Sequence, residues 1–458
     1  MNSMEPKQYM EPGQYGEPKQ YEEIFRLDGK PGFLKSLPLA LQHVVTMIVG
    51  CVTPAIIVAG VAGLNGEEQV ILVQAALVIA AIATFLQLLP IGRYFGSGLP
   101  IVMGVSFAYL PSLQAIAAGH DISAIMGAQI IGGVCAVLVG IFVTKLRKLF
   151  PPLITGTVVF TIGLSLYPTA VNYMAGGVGS PTYGSWQNWL VALVTLAVVT
   201  FLNHFGKGIF KLASILIGII VGYVFAACFG MLEFSSVAAA GVFALPQIAH
   251  FGISFEPSCV ITLAILFVIN SIQAIGDFSA TTVGGLDREP TDRELQSGIV
   301  AYGVSNILGA FIGGLPTATY SQNVGIVSTT KVVARRIFLM AATIILVAGL
   351  VPKFSALLTT IPQCVLGGAT ISVFASITMT GVKLIVQQPL NYRNTSIVGL
   401  SVALGMGITQ ASAALGQFPE AITTIFGRSP VVVATISAIV LNLILPKEKK
   451  PGESQAAA

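Results

Sequence analysis

Apolar runs of about 20 residues, the length that spans the hydrocarbon core of a bilayer, recur from residue 32 onward, separated by short polar connections. They are centred near residues 47, 80, 107, 133, 161, 194, 219, 268, 305, 322, 342, 371, 404 and 438, which predicts about fourteen helical crossings. One stretch breaks the pattern. Residues 321–331, SQNVGIVSTTK, lie between apolar regions at 297–316 and 332–352, yet carry Ser, Gln, Asn, Gly and three further hydroxyls. Non-helical backbone at membrane depth is tolerated only where protein buries it or where it lines a cavity.

The stretch has a counterpart. GLPIVMGVSF begins at Gly98 and GLPTATYSQN at Gly314, while PPLITGTVVF (151–160) and IPQCVLGGAT (361–370) share a P-x-x-[IV]-x-G spacing. The two offsets nearly agree, so the chain reads as two halves of seven crossings. Seven is odd, which inverts the second half in the membrane, and inverted repeats mark secondary transporters with a midplane site where helices are interrupted. The expected division is a disordered tail over 1–31, repeats over 32–232 and 233–446, and a second tail over 447–458. Pro removes a backbone donor and Gly loosens a helix. Each Gly-Leu-Pro segment is therefore predicted to run extended and restart as a half-helix, the first segment ending at Pro111. The freed polar groups and half-helix N-termini would contact a ligand. The alternative is a kinked packing helix whose hydroxyls bond their own carbonyls.

Charge sets the orientation. Only 9% of residues are charged, against roughly 25% in soluble domains, which places the chain in lipid. With the N-terminus in the cytoplasm, all 23 Lys and Arg except Lys353 and Arg428 fall on the cytoplasmic side, as the positive-inside rule requires. Both termini are then cytoplasmic and the membrane is the plasma membrane. The polar first thirty residues, with EPKQY, EPGQY and EPKQY, read as a solvated tail without a cleavable signal. The five cysteines stand singly in apolar segments, so neither a disulfide framework nor a metal cluster is indicated. No cofactor and no nucleic-acid partner is expected.

The run from Gln322 to Lys331 resembles the signature of the nucleobase–ascorbate transporter family, with Gln322, Asn323, Gly325, Thr330 and Lys331 matching. LQHVV resembles its first-span Gln-His motif at Gln42 and His43, GVSFAYL its third-span segment with a ring-stacking Phe at Phe107, and SIQAIGDFSATT its eighth-span motif. The resemblance covers about residues 32–446. It implies a core domain from spans 1–4 and 8–11, a gate domain from spans 5–7 and 12–14, elevator-like motion and a homodimer. The expected fold class is thus an all-α polytopic membrane protein of two inverted seven-span repeats, with short extended stretches in the broken spans 3 and 10.

Gln at the first signature position resembles the purine branch, chiefly xanthine and uric acid carriers. The Gln322 amide offers a donor and an acceptor to a lactam edge; its plain alternative is a helix–helix hydrogen bond, worth only about 1 kcal/mol in membranes. Phe107 would stack on the heterocycle, or simply pack. Tyr320 and the backbone near Ser321 and Gly325 would complete the pocket. Two acids expected from the resemblance are missing: Gln273 stands at the substrate-binding Glu and Tyr302 at a ninth-span Asp. Gln273 can pair with a ligand but cannot exchange a proton, and it suits a urate monoanion. Asp277 lies four residues on, on the same helical face, and intramembrane carboxylates are functional by default. Asp277, with His43, forms either a proton relay or a set of fixed hydrogen bonds. HExxH, GxSxG and paired intramembrane carboxylates are absent, so an intramembrane hydrolase lacks its parts. The expectation is a purine permease with proton symport, sodium being the other coupling ion. The alternatives are a nucleobase facilitator, for uracil among others, and an anion carrier of the same seven-plus-seven fold.

Overall fold

The computed structural model describes residues 23–92, 94–143, 151–419, 422–423, 426–427 and 429–446. The N-terminal repeats of EPxQY, the 145–148 cluster, Arg93, Arg428 and the 447–458 tail fall outside them. In chain order the first half contains α1 (Phe33–Val61), α2 (Gly66–Leu88), β1 (Met103–Val105), α3 (Leu110–Ala117), α4 (Ile122–Ile141), α5 (Pro152–Met174), α6 (Trp186–Phe205), α7 (Ile209–Leu212) and α8 (Ser214–Cys228). The second contains α9 (Ser235–Ala239), α10 (Pro257–Leu286), α11 (Asp292–Ile312), β2 (Thr317–Thr319), α12 (Ser321–Thr330), α13 (Arg335–Gly349), α14 (Pro352–Thr359), α15 (Gln363–Ile385), α16 (Tyr392–Gln410) and α17 (Pro430–Ile444). Eight of these helices are long and apolar enough to cross a membrane, and nine spans result if α13 and α14, bent by 81°, count as one. The other expected crossings fall on shorter apolar helices (α8 and α17), on α16, and on the two strand–half-helix segments.

Polar connections start the helices. Asn65 and Glu68 form a reciprocal capping box at α2, and Thr291 and Glu294 form one at α11, satisfying amides that a helix start leaves open. Helices then pack through small residues, which let backbones approach where lipid supplies no hydrophobic drive. On α4, a Cβ at Gly133 would lie 2.8 Å from the Gly303 carbonyl of α11. On α5, a Cβ at Gly156 would lie 2.9 Å from the Gly381 carbonyl of α15. Two groups result. In one, α4 packs on α10 and α11, and α13 on α1 and α2; in the other, α15 packs on α5, α6 and α8, and α17 on α5 and α16.

The interrupted segments meet. β1 and β2 pair antiparallel, Met103 opposite Thr319, Gly104 opposite Ala318 and Val105 opposite Thr317. Each is followed by a half-helix, α3 or α12. Pro111 does not end its segment: it occupies the first turn of α3, where its missing N–H costs nothing. Side chains hold the strands in place. Met103 N donates to Thr84 Oγ1 at 3.0 Å, and Tyr320 Oη donates to the Val105 carbonyl at 2.6 Å. On the other strand, Asn306 Oδ1 accepts from Thr317 N at 2.7 Å while its Nδ2 donates to the Thr317 carbonyl at 3.3 Å. Asn306 is fully buried. Asn306→Ala strands a buried amide and is expected to cost about 1–3 kcal/mol, read as a lower thermal midpoint of the detergent-solubilised protein.

Residues 23–31, grouped on composition with the tail, fold against this region. The Ile24 carbonyl accepts from Val333 N (2.9 Å) and Ala334 N (3.1 Å). Arg335 pairs with Asp28 at 2.7 Å and its Nε donates to the Gly98 carbonyl at 2.5 Å. Arg335 thus ties the approach to the first broken segment to the exit from the second. Lys331, at the end of the signature, pairs with Asp287 at 2.8 Å. None of the five cysteines, all among the described residues, forms a disulfide.

Candidate binding site

A cavity of about 430 Å³ opens beside the paired strands, within the range that holds small ligands. One wall is built from α1 (Thr46, Gly50), the β1–α3 link (Ser106, Phe107), Gln273 of α10 and the β2–α12 link (Thr319 to Gln322). The facing wall comes from α5, α7, α8 and α15. The cavity therefore separates the two helix groups.

Gln273 and Gln322 both line it, and neither side chain has a hydrogen-bond partner among the described residues. Gln322 is exposed to the cavity at the first turn of α12, Gln273 half-buried on α10. Phe107 lines the same space, its ring edge-on to Phe374 at 5.1 Å, and is 7% exposed. Tyr320 and Ser321 line it as well, Tyr320 packed so closely that a Cβ at Gly104 would lie 2.6 Å from its ring. Ser321 and Tyr320 open α12, whose positive dipole end faces the cavity.

Asp277 stands one layer behind this wall. It is 8% exposed, its Oδ1 accepts from Ser321 Oγ at 2.8 Å, and its Oδ2 accepts from Thr319 Oγ1. The carboxylate thus grips two wall residues without lining the cavity itself.

Other signature residues turn elsewhere. Asn323 is buried, and its Nδ2 donates to His43 Nδ1 (3.1 Å) and to the His43 carbonyl (3.2 Å). This bond ties α12 to α1. His43 packs on Phe338 at 4.4 Å between ring centroids, and no hydrogen bond links it to Asp277. Gly325 and Thr330 lie further along α12, outside the cavity lining, with Thr330 Oγ1 donating back to the Ile326 carbonyl at 2.8 Å. Gln42 is half-buried and also outside the lining. Tyr302 is buried, hydrogen-bonded to Tyr109 and packed near Phe267, so no acid-for-Tyr exchange touches the cavity surface.

The facing wall was not singled out by motif. On α15, Ser372, Ser376 and Thr380 recur every fourth residue in an apolar run and line the cavity together. That spacing marks one helical face and was the legible signal. Thr46 and Lys211 also line it, without a sequence cue.

A polytopic helical protein whose paired broken helices open on a cavity between two helix groups is a membrane transporter in architecture. The chain belongs to the nucleobase–ascorbate transporter family: a family model described as "Permease family" matches residues 34–414. It is 35% identical to the xanthine permease of Bacillus subtilis over 416 residues, covering 90% of this chain and 94% of that one. It is 36% identical to the uric acid permease PucJ of the same organism over 424 residues, covering 91% and 94%. Among solved structures, the transmembrane domain of the cyanobacterial bicarbonate transporter BicA superposes with TM-score 0.59 at 16% identity, covering 90% of this chain and all of that domain. That likeness concerns the fold alone. The family consists of permeases, so the chain is an integral multi-pass transporter rather than an enzyme.

Proposed function

We propose that this protein imports an oxopurine, xanthine or uric acid, by elevator-type alternating access with proton symport. The observation that carries the reading is the pair of unspent amides, Gln273 and Gln322, facing one cavity beside the Phe107 ring. Two amides offer donors and acceptors to the lactam edges of the heterocycle, and the aromatic ring suits its face. The relatives named for xanthine and uric acid agree with that chemistry.

The elevator reading is supported by the cavity's position between the two helix groups, one group moving against the other. The inverted repeat is supported by equivalent packing: α4 on α11 matches α13 on α2, and α8 on α15 matches α17 on α5. We count the strand–half-helix segments, α8, α16 and α17 as crossings, which makes fourteen, with repeats over 32–232 and 233–446. Both termini are cytoplasmic, from the Lys and Arg asymmetry, in the plasma membrane, and the assembly is a homodimer. Asp277 is the proton-carrying candidate, since a change in its charge would reach the cavity through Thr319 and Ser321.

The neutral Gln273 and the buried Tyr302 favour a second reading, a facilitator without coupling. Uptake of labelled xanthine and urate by cells lacking their own carriers, with and without a protonophore, separates the two. Accumulation that collapses with the protonophore is the expected result. Saturable uptake that only equilibrates supports the facilitator, and no uptake of either purine by membrane-resident protein rejects the substrate assignment.

A further inference from the structure

Among the described residues that line the cavity, one carries a full charge, Lys211. It belongs to α7, the single turn between α6 and α8, which packs on α6 and on α1. The residue is exposed, and the three ion pairs among the described residues use Arg288, Lys331 and Arg335 instead. Among the described residues, no carboxylate lines the cavity. Asp277 lies behind the far wall with both oxygens occupied by Thr319 and Ser321. The remaining polar lining consists of hydroxyls, amides and the positive dipole end of α12. A low-dielectric cleft lined by one sign of charge concentrates ligands of the opposite sign.

We propose that Lys211 is a specificity-determining residue that selects the ionised purine, so that the cargo enters as a monoanion. The proposal rests on the purine reading of the same cavity. The amides of Gln273 and Gln322 and the Phe107 ring recognise the heterocycle whatever its charge. Lys211, on a flexible stem in the same lining, adds an attraction that only the anion feels. A compact ammonium acts here as a point charge and needs no fixed fork geometry. Replacement of the expected acid by Gln273 fits the same preference, since a carboxylate at that place in the lining would repel an anion.

The test uses the full chain in cells lacking their own purine carriers, with membrane levels matched for the wild type, Lys211→Gln and Lys211→Arg. Initial uptake of labelled urate and labelled xanthine is measured in mildly acidic buffer, where urate is a monoanion and xanthine is uncharged. Lys211→Gln is expected to lower kcat/KM for urate roughly three- to tenfold, the scale of a partly solvated charge at a binding rim, while xanthine uptake stays near wild type. Lys211→Arg is expected to retain urate uptake. Equal losses for both purines would make Lys211 a structural or gating residue and overturn the proposal. Unchanged urate uptake by Lys211→Gln, or wild-type uptake of xanthine without urate, would overturn it too. Uptake of neither purine by the wild type would instead remove the purine reading beneath it.

Discussion

Gln322→Ala is expected to reduce purine uptake by about 30- to 150-fold in kcat/KM, the effect of losing two hydrogen bonds worth about 1–1.5 kcal/mol each in a desolvated site. The amount of folded protein in the membrane should stay unchanged, because the Gln322 side chain has no hydrogen-bond partner among the described residues. Its neighbour behaves differently. Asn323 donates twice to His43 and joins α12 to α1, so Asn323→Ala is expected to lower the quantity of folded protein as well as uptake. Uptake assays paired with membrane immunodetection separate the two. Normal xanthine and urate uptake by Gln322→Ala would remove the cavity wall at α12 from the binding site.

Asp277→Asn is expected to abolish accumulation against a gradient while sparing exchange of external for internal purine. The amide keeps the shape and can still accept from one of the two hydroxyls that now bond the carboxylate, but it cannot carry a proton. Counterflow and protonophore-sensitive accumulation, measured side by side in proteoliposomes, provide the readout. Asp277→Ala should be worse than Asp277→Asn for stability, since it leaves Thr319 and Ser321 without their shared acceptor, at about 1–3 kcal/mol for each group left unpaired in a buried setting. Equal loss of folded protein in both variants would make Asp277 a structural acceptor only. Accumulation that survives Asp277→Asn would assign coupling elsewhere.

The membrane class, the two broken segments and the family were legible because they depend on local chemistry. Long apolar runs, Gly-Leu-Pro followed by a polar stretch, and the Gln-Asn-x-Gly run each make their point within about ten residues. The strand pairing was half legible. The extended conformation follows from Pro and Gly, but the partner does not, and Asn306, which clamps Thr317, stands in an ordinary helical run. Pro111 shows the limit of reading punctuation alone: proline blocks continuation of a helix from before it, yet is well suited to the first turn of a new one.

Within the signature, the sequence by itself determined which residue types are present but not which way each one faces. Successive residues of a helix point about 100° apart, so Gln322 can open on the cavity while Asn323 turns into the protein toward His43. The phase of α12 is set by its packing on α1 and α10, and that is a tertiary fact. The same holds for the composition of the site. Gln273, Gln322, Phe107, Ser376 and Lys211 come from five separate elements, and only packing of the two helix groups against each other brings them around one space. The sequence decided that this chain lives in lipid and that its helices break in two places. The tertiary structure decided which polar groups those breaks spend on holding the protein together and which they leave open to a ligand.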